Sequence, residues 1–237
     1  MRRMPLLSWW RSRARPGPLV VPSRFNRNSR KVTALMGPEE SGRWLLERMR
    51  QQVGFDSYRD KRLLDFGCGV RFSQAIINTP LEIGGYVGVD VYRPMIAYLQ
   101  RKVRDDRFSY VFFDGYHALY NRGGRPLVRD ATLPLEAASF DLVCMFSVIT
   151  HQNPGESECI FSMLRRYVRA DGHLFFTCFL DESIADFEDR SPESNGGFCF
   201  YNPGFLTALV ERCGWRLAAR APGHGPLIGD SFVGRPA

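Results

Sequence analysis

No stretch of this 237-residue chain approaches the roughly 18 consecutive apolar residues that a membrane helix needs. The run PLLSWW near the start is followed at once by Arg11, Arg13 and Arg15, so it does not read as the apolar part of a secretory leader. The six cysteines include no CxxC pair and several sit in apolar runs, which argues against a zinc site and against a disulfide framework. No metal is expected. Aspartate and glutamate are missing altogether from residues 1–36, which hold nine Lys and Arg. The net charge of +7 is therefore concentrated there, because the remainder carries 23 basic against 25 acidic side chains. A basic, nucleic-acid-binding body is excluded. What remains is a cytoplasmic protein whose 44% hydrophobic content suits one sizeable α/β domain.

Residues 1–36 contain Pro5, Pro16, Pro18 and Pro22 and lack sustained periodicity, so they read as a mobile arm preceding a domain at 37–237. Removing residues 1–30 should leave that domain folded. Trp9 and Trp10 offer stacking groups if the arm meets RNA or acidic lipid, although a solvated extension explains it as well. Beyond the arm, PEESGRWLLERMRQQV has helical apolar spacing, and further helices are expected near 72–79, 94–104 and 156–169. Between them lie the strand-like runs KRLLDF, YVGVDV, FSYVFF, FDLVCMFSVI and HLFFTCFL. This alternation predicts a mostly parallel sheet covered on both faces. Asn153–Pro154 and Asn202–Pro203 each read as an N-cap followed by proline at the first helical position. The ending, helix then two strands without a crossover helix, requires an antiparallel partner.

The run LLDFGCGV, Leu63 to Val70, joins a buried strand to an acid and two glycines. Ligands of open α/β sheets bind beyond the carboxyl ends of the strands, where such a turn lies, and glycine lets the backbone approach them. A pyrophosphate would be repelled by Asp65, and the third glycine of GxGxxG is missing because position 72 is Phe. The ligand should be cationic near Asp65. S-adenosylmethionine, with an α-ammonium, a sulfonium and no phosphate, fits. Asp90 ends YVGVD, 21 positions after Gly69, where a carboxylate can take both ribose hydroxyls.

From about Pro38 onward the chain resembles the class I S-adenosylmethionine-dependent methyltransferases, through LLDFGCG, GVDV, LPLEAASFDLVCMFSVITH and LRRYVRADGHLFFTCF. The resemblance implies a Rossmann-like α/β fold: a seven-stranded, mostly parallel sheet with helices on both faces and an antiparallel last strand. It also implies cofactor contacts from Asp65, Phe66, Gly67, Cys68, Gly69, Asp90 and Val91. Asp114, directly after FSYVFF, is expected on the adenine side, with Asp130 before LPL as its competitor and residues 115–135 as an inserted loop. Phe146, with Ser147, should lie beneath the cofactor or in the core. Arg71 stands where a third small residue is common and should face solvent or bind the methionine carboxylate. Within the family, SVITH and HALYNRGG make the chain most similar to bacterial small-molecule and sugar O-methyltransferases.

Methyl transfer to a hydroxyl needs alignment and a proton acceptor. His151, after FSVIT at the carboxyl end of the fourth strand, is the candidate base. His173 opens a strand and reads as structural, while His117 and His224 lie in loops without a legible partner. The favoured function is methylation of a hydroxyl on a sugar or other metabolite. The alternatives are an RNA or protein methyltransferase that uses the basic arm, and a cofactor-binding protein without turnover. No NPPY or DPPY element occurs, which disfavours nucleic acid. The aromatic segment 196–206 suits a lid over a small acceptor.

Overall fold

The computed structural model describes residues 17–27, 36–190, 198–223 and 229–237. His224, Trp9 and Trp10 lie outside them. The first long helix, α1 (Pro38–Val53), begins with proline in its first turn and two acids, Glu39 and Glu40, against its positive end. It stops at Gly54, whose φ of 76° is a left-handed cap that glycine adopts without Cβ strain. Then come β1 (Arg62–Phe66), α2 (Arg71–Asn78), β2 (Gly85–Asp90), α3 (Arg93–Lys102), β3 (Phe108–Phe112) and β4 (Phe140–Met145). The chain continues through α4 (Pro154–Arg165), β5 (Val168–Leu180), a hairpin of β6 (Phe187–Asp189) and β7 (Cys199–Tyr201), α5 (Pro203–Arg212), β8 (Trp215–Ala221) and β9 (Asp230–Pro236).

Both predicted N-caps form. Asn153 accepts the Glu156 N–H while Glu156 reaches back to the Asn153 N–H, and Asn202 accepts from Gly204 and Phe205. Strand pairing runs β3-β2-β1-β4-β5, all parallel, and β9 joins the far side of β5 antiparallel with β8 beyond it. These seven strands are the expected sheet with an antiparallel closing strand, since β9 follows β8 without a crossover helix and pairs antiparallel with it. The sequence did not reveal the β6–β7 hairpin, which extends β5 where β9 leaves it: β9 ends its pairing at Cys178 and β7 takes over at Phe179.

Strand order reverses between β1 and β4, so the turn after β1 and the segment after β4 diverge and leave a crevice at the carboxyl edge. The core lies on both faces of the sheet. One cluster joins α4 and α5 to it through Phe161, Leu164, Phe176, Leu209 and Trp215, and the other packs α1, α2 and α3 through Leu46, Met49, Ile76, Tyr86 and Leu99.

The fourth strand is shorter than FDLVCMFSVI predicts. Ser147 sits at φ 54°, in the left-handed region, and its N–H leaves the sheet ladder to donate to Thr177 Oγ1 at 2.8 Å. The following Ile149–His151 forms a short 3-10 turn instead of strand. A second departure concerns the arm. Residues 17–27 lie against the domain: Leu19 and Phe25 are buried, the Leu19 N–H donates to Asn78 Oδ1 at 2.7 Å, and Tyr98 donates its hydroxyl to the Val20 carbonyl. The mobile-arm reading missed these contacts because two apolar anchors spaced irregularly among prolines leave no periodic signal.

Candidate functional site

A cavity opens in the crevice, lined on one side by Asp65 to Phe72 with Asp90 and Val91, and on the other by Phe146 to Val148, His151 and Gln152. The glycine turn is pinned to the second strand, because the Gly67 and Cys68 N–H groups both donate to the Val89 carbonyl, at 2.8 and 3.0 Å. Gly67 has φ 77°, and a Cβ on it would lie 2.4 Å from Val148 Cγ2. Glycine is thus required here for the turn and for its fit against the segment after β4. Gly69 is the position whose Cβ would point into the cavity, 3.3 Å from the Arg27 guanidinium.

The two acids differ in their surroundings. Asp90 ends β2 with its side chain almost fully buried, yet both its oxygens are oriented by backbone: Gly69 N–H on Oδ2 and Tyr92 N–H on Oδ1, each at 3.0 Å. Such a fixed carboxylate suits a ribose diol. Asp65 lies below the turn, accepting the Tyr86 hydroxyl at 2.6 Å and the Cys144 thiol at 3.5 Å. Burial pushes its pKa up to about 7 against the pull of these donors. A cation brought to the turn would favour its ionised form, which matches an α-ammonium. Arg71, at the start of α2, also lines the cavity, and burial lowers its guanidinium to about 10, with Asp65 opposing and Arg27 adding to the shift. It therefore faces the cavity, and its cation suits a carboxylate there.

Of the residues singled out from sequence, Asp65, Phe66, Gly67, Cys68, Gly69, Asp90, Val91, Phe146 and His151 all line this cavity, as do Ser147 and His117. Phe146 is held by Phe72 and Phe175, with ring centroids 5.1 and 5.0 Å away. Asp114 does not line it. Its side chain is 47% exposed, 3.7 Å from Arg125 Nε, and accepts the Asn121 amide at 3.2 Å. The carboxylate therefore closes the loop that β3 runs into, while Phe113, Gly115, Tyr116 and Tyr120 from the same loop reach the cavity. Asp130 is exposed and also lies outside the lining. His173 packs edge-on to Phe55 at 5.1 Å, and burial takes its pKa down to about 4, as a structural histidine requires.

The profile of a family described as "Methyltransferase domain" matches residues 24–219. The chain belongs to that family. It is a class I methyltransferase whose cofactor is S-adenosylmethionine. Solved structures of low identity share the methyltransferase fold. The 1,6-didemethyltoxoflavin-N1-methyltransferase of Burkholderia thailandensis, with bound 1,6-didemethyltoxoflavin and S-adenosylhomocysteine, is 16% identical over 88% of this chain and 82% of its own, with a TM-score of 0.55. An S-adenosylmethionine-dependent methyltransferase of Mesorhizobium loti is 13% identical over 84% and 100%, at 0.60. The [4+2]-cyclase SpnF is 15% identical over 84% and 82%, also at 0.60. The family match begins at residue 24, inside the basic arm, where the chain meets the cavity: Phe25, Asn26 and Arg27 line it, and the sequence had not pointed to them.

The residues present fit the methyltransferase cofactor. Asp90 would hold the ribose, the glycine turn would receive the methionine portion, and Asp65 and Arg71 would face its ammonium and carboxylate. The cofactor supplies a methyl group on a sulfonium, already activated for in-line displacement.

Proposed function

We propose that this methyltransferase methylates a hydroxyl group of a small molecule, a sugar or other hydroxylated metabolite, with His151 as the general base. The observation that carries this reading is that two histidines, His151 and His117, line the cavity together with Phe113, Tyr116 and Tyr120. A hydroxyl acceptor must lose a proton as the new bond forms, so a base beside the cavity is needed, whereas aromatic walls suit a small ring better than a polymer.

The two imidazoles have different capacities. His117 Nδ1 accepts the Leu119 N–H at 3.1 Å, so the neutral ring carries its proton on Nε2 and acts as a donor. Its pKa is lowered first by burial and then by the neighbouring His151, which favours the neutral ring. His151 is on an exposed turn after β4, its N–H closing that turn on the Val148 carbonyl. Phe198, within the proposed lid segment, approaches its ring to 5.7 Å. Residues 196 and 197 of the proposed lid lie outside the described residues. Asn153, two residues further on, has its side chain in the α4 capping box. His151 would take the hydroxyl proton while His117 donates to a second polar group of the acceptor.

The test uses cofactor labelled in its methyl group, with a fractionated metabolite extract and with total RNA as acceptors. Label in a small hydroxylated product, as an ether, supports the reading. Label in RNA or protein, on an amine, or nowhere would each refute it.

A further inference from the structure

Residues 17–27 carry Arg27 across the ends of α2 and α3 into the cofactor cavity. Three anchors hold this strap. Leu19 is buried and exchanges hydrogen bonds with the Asn78 amide, at 2.7 and 3.3 Å; the Val20 carbonyl accepts from Tyr98; and Phe25 packs 5.9 Å from Tyr92 and 5.2 Å from Tyr98. The Arg27 guanidinium then forks onto Asp90. Nη1 is 3.4 Å from Oδ1, Nη2 donates to Oδ2, and the plane rests 4.7 Å from the Tyr120 ring centroid.

We propose that Arg27 is a latch on the ribose subsite, which the cofactor must displace. This rests on Asp90 being the ribose carboxylate. Each carboxylate oxygen offers about two acceptor directions. On Asp90 one direction per oxygen is taken by backbone, by Tyr92 N–H and Gly69 N–H, and Arg27 takes those that remain on the cavity side. Two ribose hydroxyls would donate to the same directions, so guanidinium and diol exclude each other. The pairing also has a structural rationale: Asp90 is buried, and a buried carboxylate left without a partner is costly. Arg27 keeps it satisfied whenever the ribose is absent, and the Tyr120 ring adds a cation–π contact to the closed latch. Cofactor affinity is then reduced by the fraction of molecules in which the latch is closed, which makes the order of the strap a control on the active site.

Calorimetry of the full chain with adenosine and with S-adenosylhomocysteine tests this in the wild type, Arg27→Met and Arg27→Lys. Both ligands should bind Arg27→Met about tenfold more tightly, and Arg27→Lys in between, because lysine keeps the charge but loses the fork and the stacking. Without ligand, Arg27→Met should melt at a lower temperature, since Asp90 loses its partner, while its shift on adding ligand should exceed that of the wild type. Unchanged or weaker binding in Arg27→Met overturns the latch and leaves Arg27 as a structural or ligand-holding cation. If that variant does not fold, unchanged or weaker binding in Arg27→Lys overturns it equally. Asp90→Asn made in the Arg27→Met background separates the underlying assignment: affinity there equal to that of Arg27→Met alone would remove Asp90 from the ribose site instead.

Discussion

At the scale of single residues, the acids and histidines of the cavity make definite predictions. Asp65 has a folded pKa near 7, raised by burial above the ordinary carboxylate value. Its stabilising contribution is therefore fully present at low pH, below about 4, and is lost as pH rises through 7, where the buried carboxylate must ionise. Cofactor affinity should run the opposite way, strengthening from pH 6 to 8 and releasing a proton below 7, because a cation at the turn favours ionised Asp65. Calorimetry in buffers of different ionisation enthalpy counts that proton. Asp65→Asn should abolish both the proton release and the pH dependence, and a persistent pH dependence would assign it to another group. His151→Ala should lower turnover by about 10² to 10⁴ while leaving S-adenosylhomocysteine affinity within a few-fold. Single-turnover assays on the identified acceptor would decide it. Ser147 at φ 54° is strained, so Ser147→Gly should be neutral or stabilising by up to about 1 kcal/mol in denaturant titration.

At the scale of elements, the strap and the loop after β3 matter most. Truncation to residue 16 should leave the thermal midpoint and cofactor binding unchanged, whereas truncation through Arg27 should lower the midpoint by exposing the Tyr92 and Tyr98 faces that Phe25 covers. Phe25 is 2% exposed, and Phe25→Ala should cost about 3 kcal/mol, or roughly 6 to 12 °C for a domain of this size. An unchanged midpoint would show that the strap contributes nothing to folding. Most elements were legible from their periodicity and caps, as α1 and the Asn153 and Asn202 helix starts show. The β6–β7 hairpin was not, because strands of three residues carry no alternation long enough to read.

At the scale of the whole molecule, charge and ligand linkage are the measurable properties. A ligand that binds only the folded chain stabilises it by mass action. S-adenosylhomocysteine at about 100 times its dissociation constant should therefore add about 2.7 kcal/mol, and NAD at the same concentration nothing. A comparable shift with NAD would refute the exclusion of a pyrophosphate by Asp65. Among the described residues no helix is long and apolar enough to cross a membrane, and no group of three or more side chains suits a metal ion.

By itself the sequence determined the order of strands and helices, the glycine turn and the two acids at the carboxyl ends of β1 and β2, since hydrophobic period, turn chemistry and strand-end position are local properties. Only the tertiary structure decided what meets across the crevice. Asp114 was favoured over Asp130 in sequence because it directly follows a strand, yet neither lines the cavity, and the loop after β3 turns its rings inward and the Asp114 carboxylate toward Arg125 and Asn121. Arg27 reaches Asp90 from 63 positions away through anchors at Leu19, Val20 and Phe25. No local pattern encodes such a contact, because its energy comes from burial against elements that come together only when the sheet has formed.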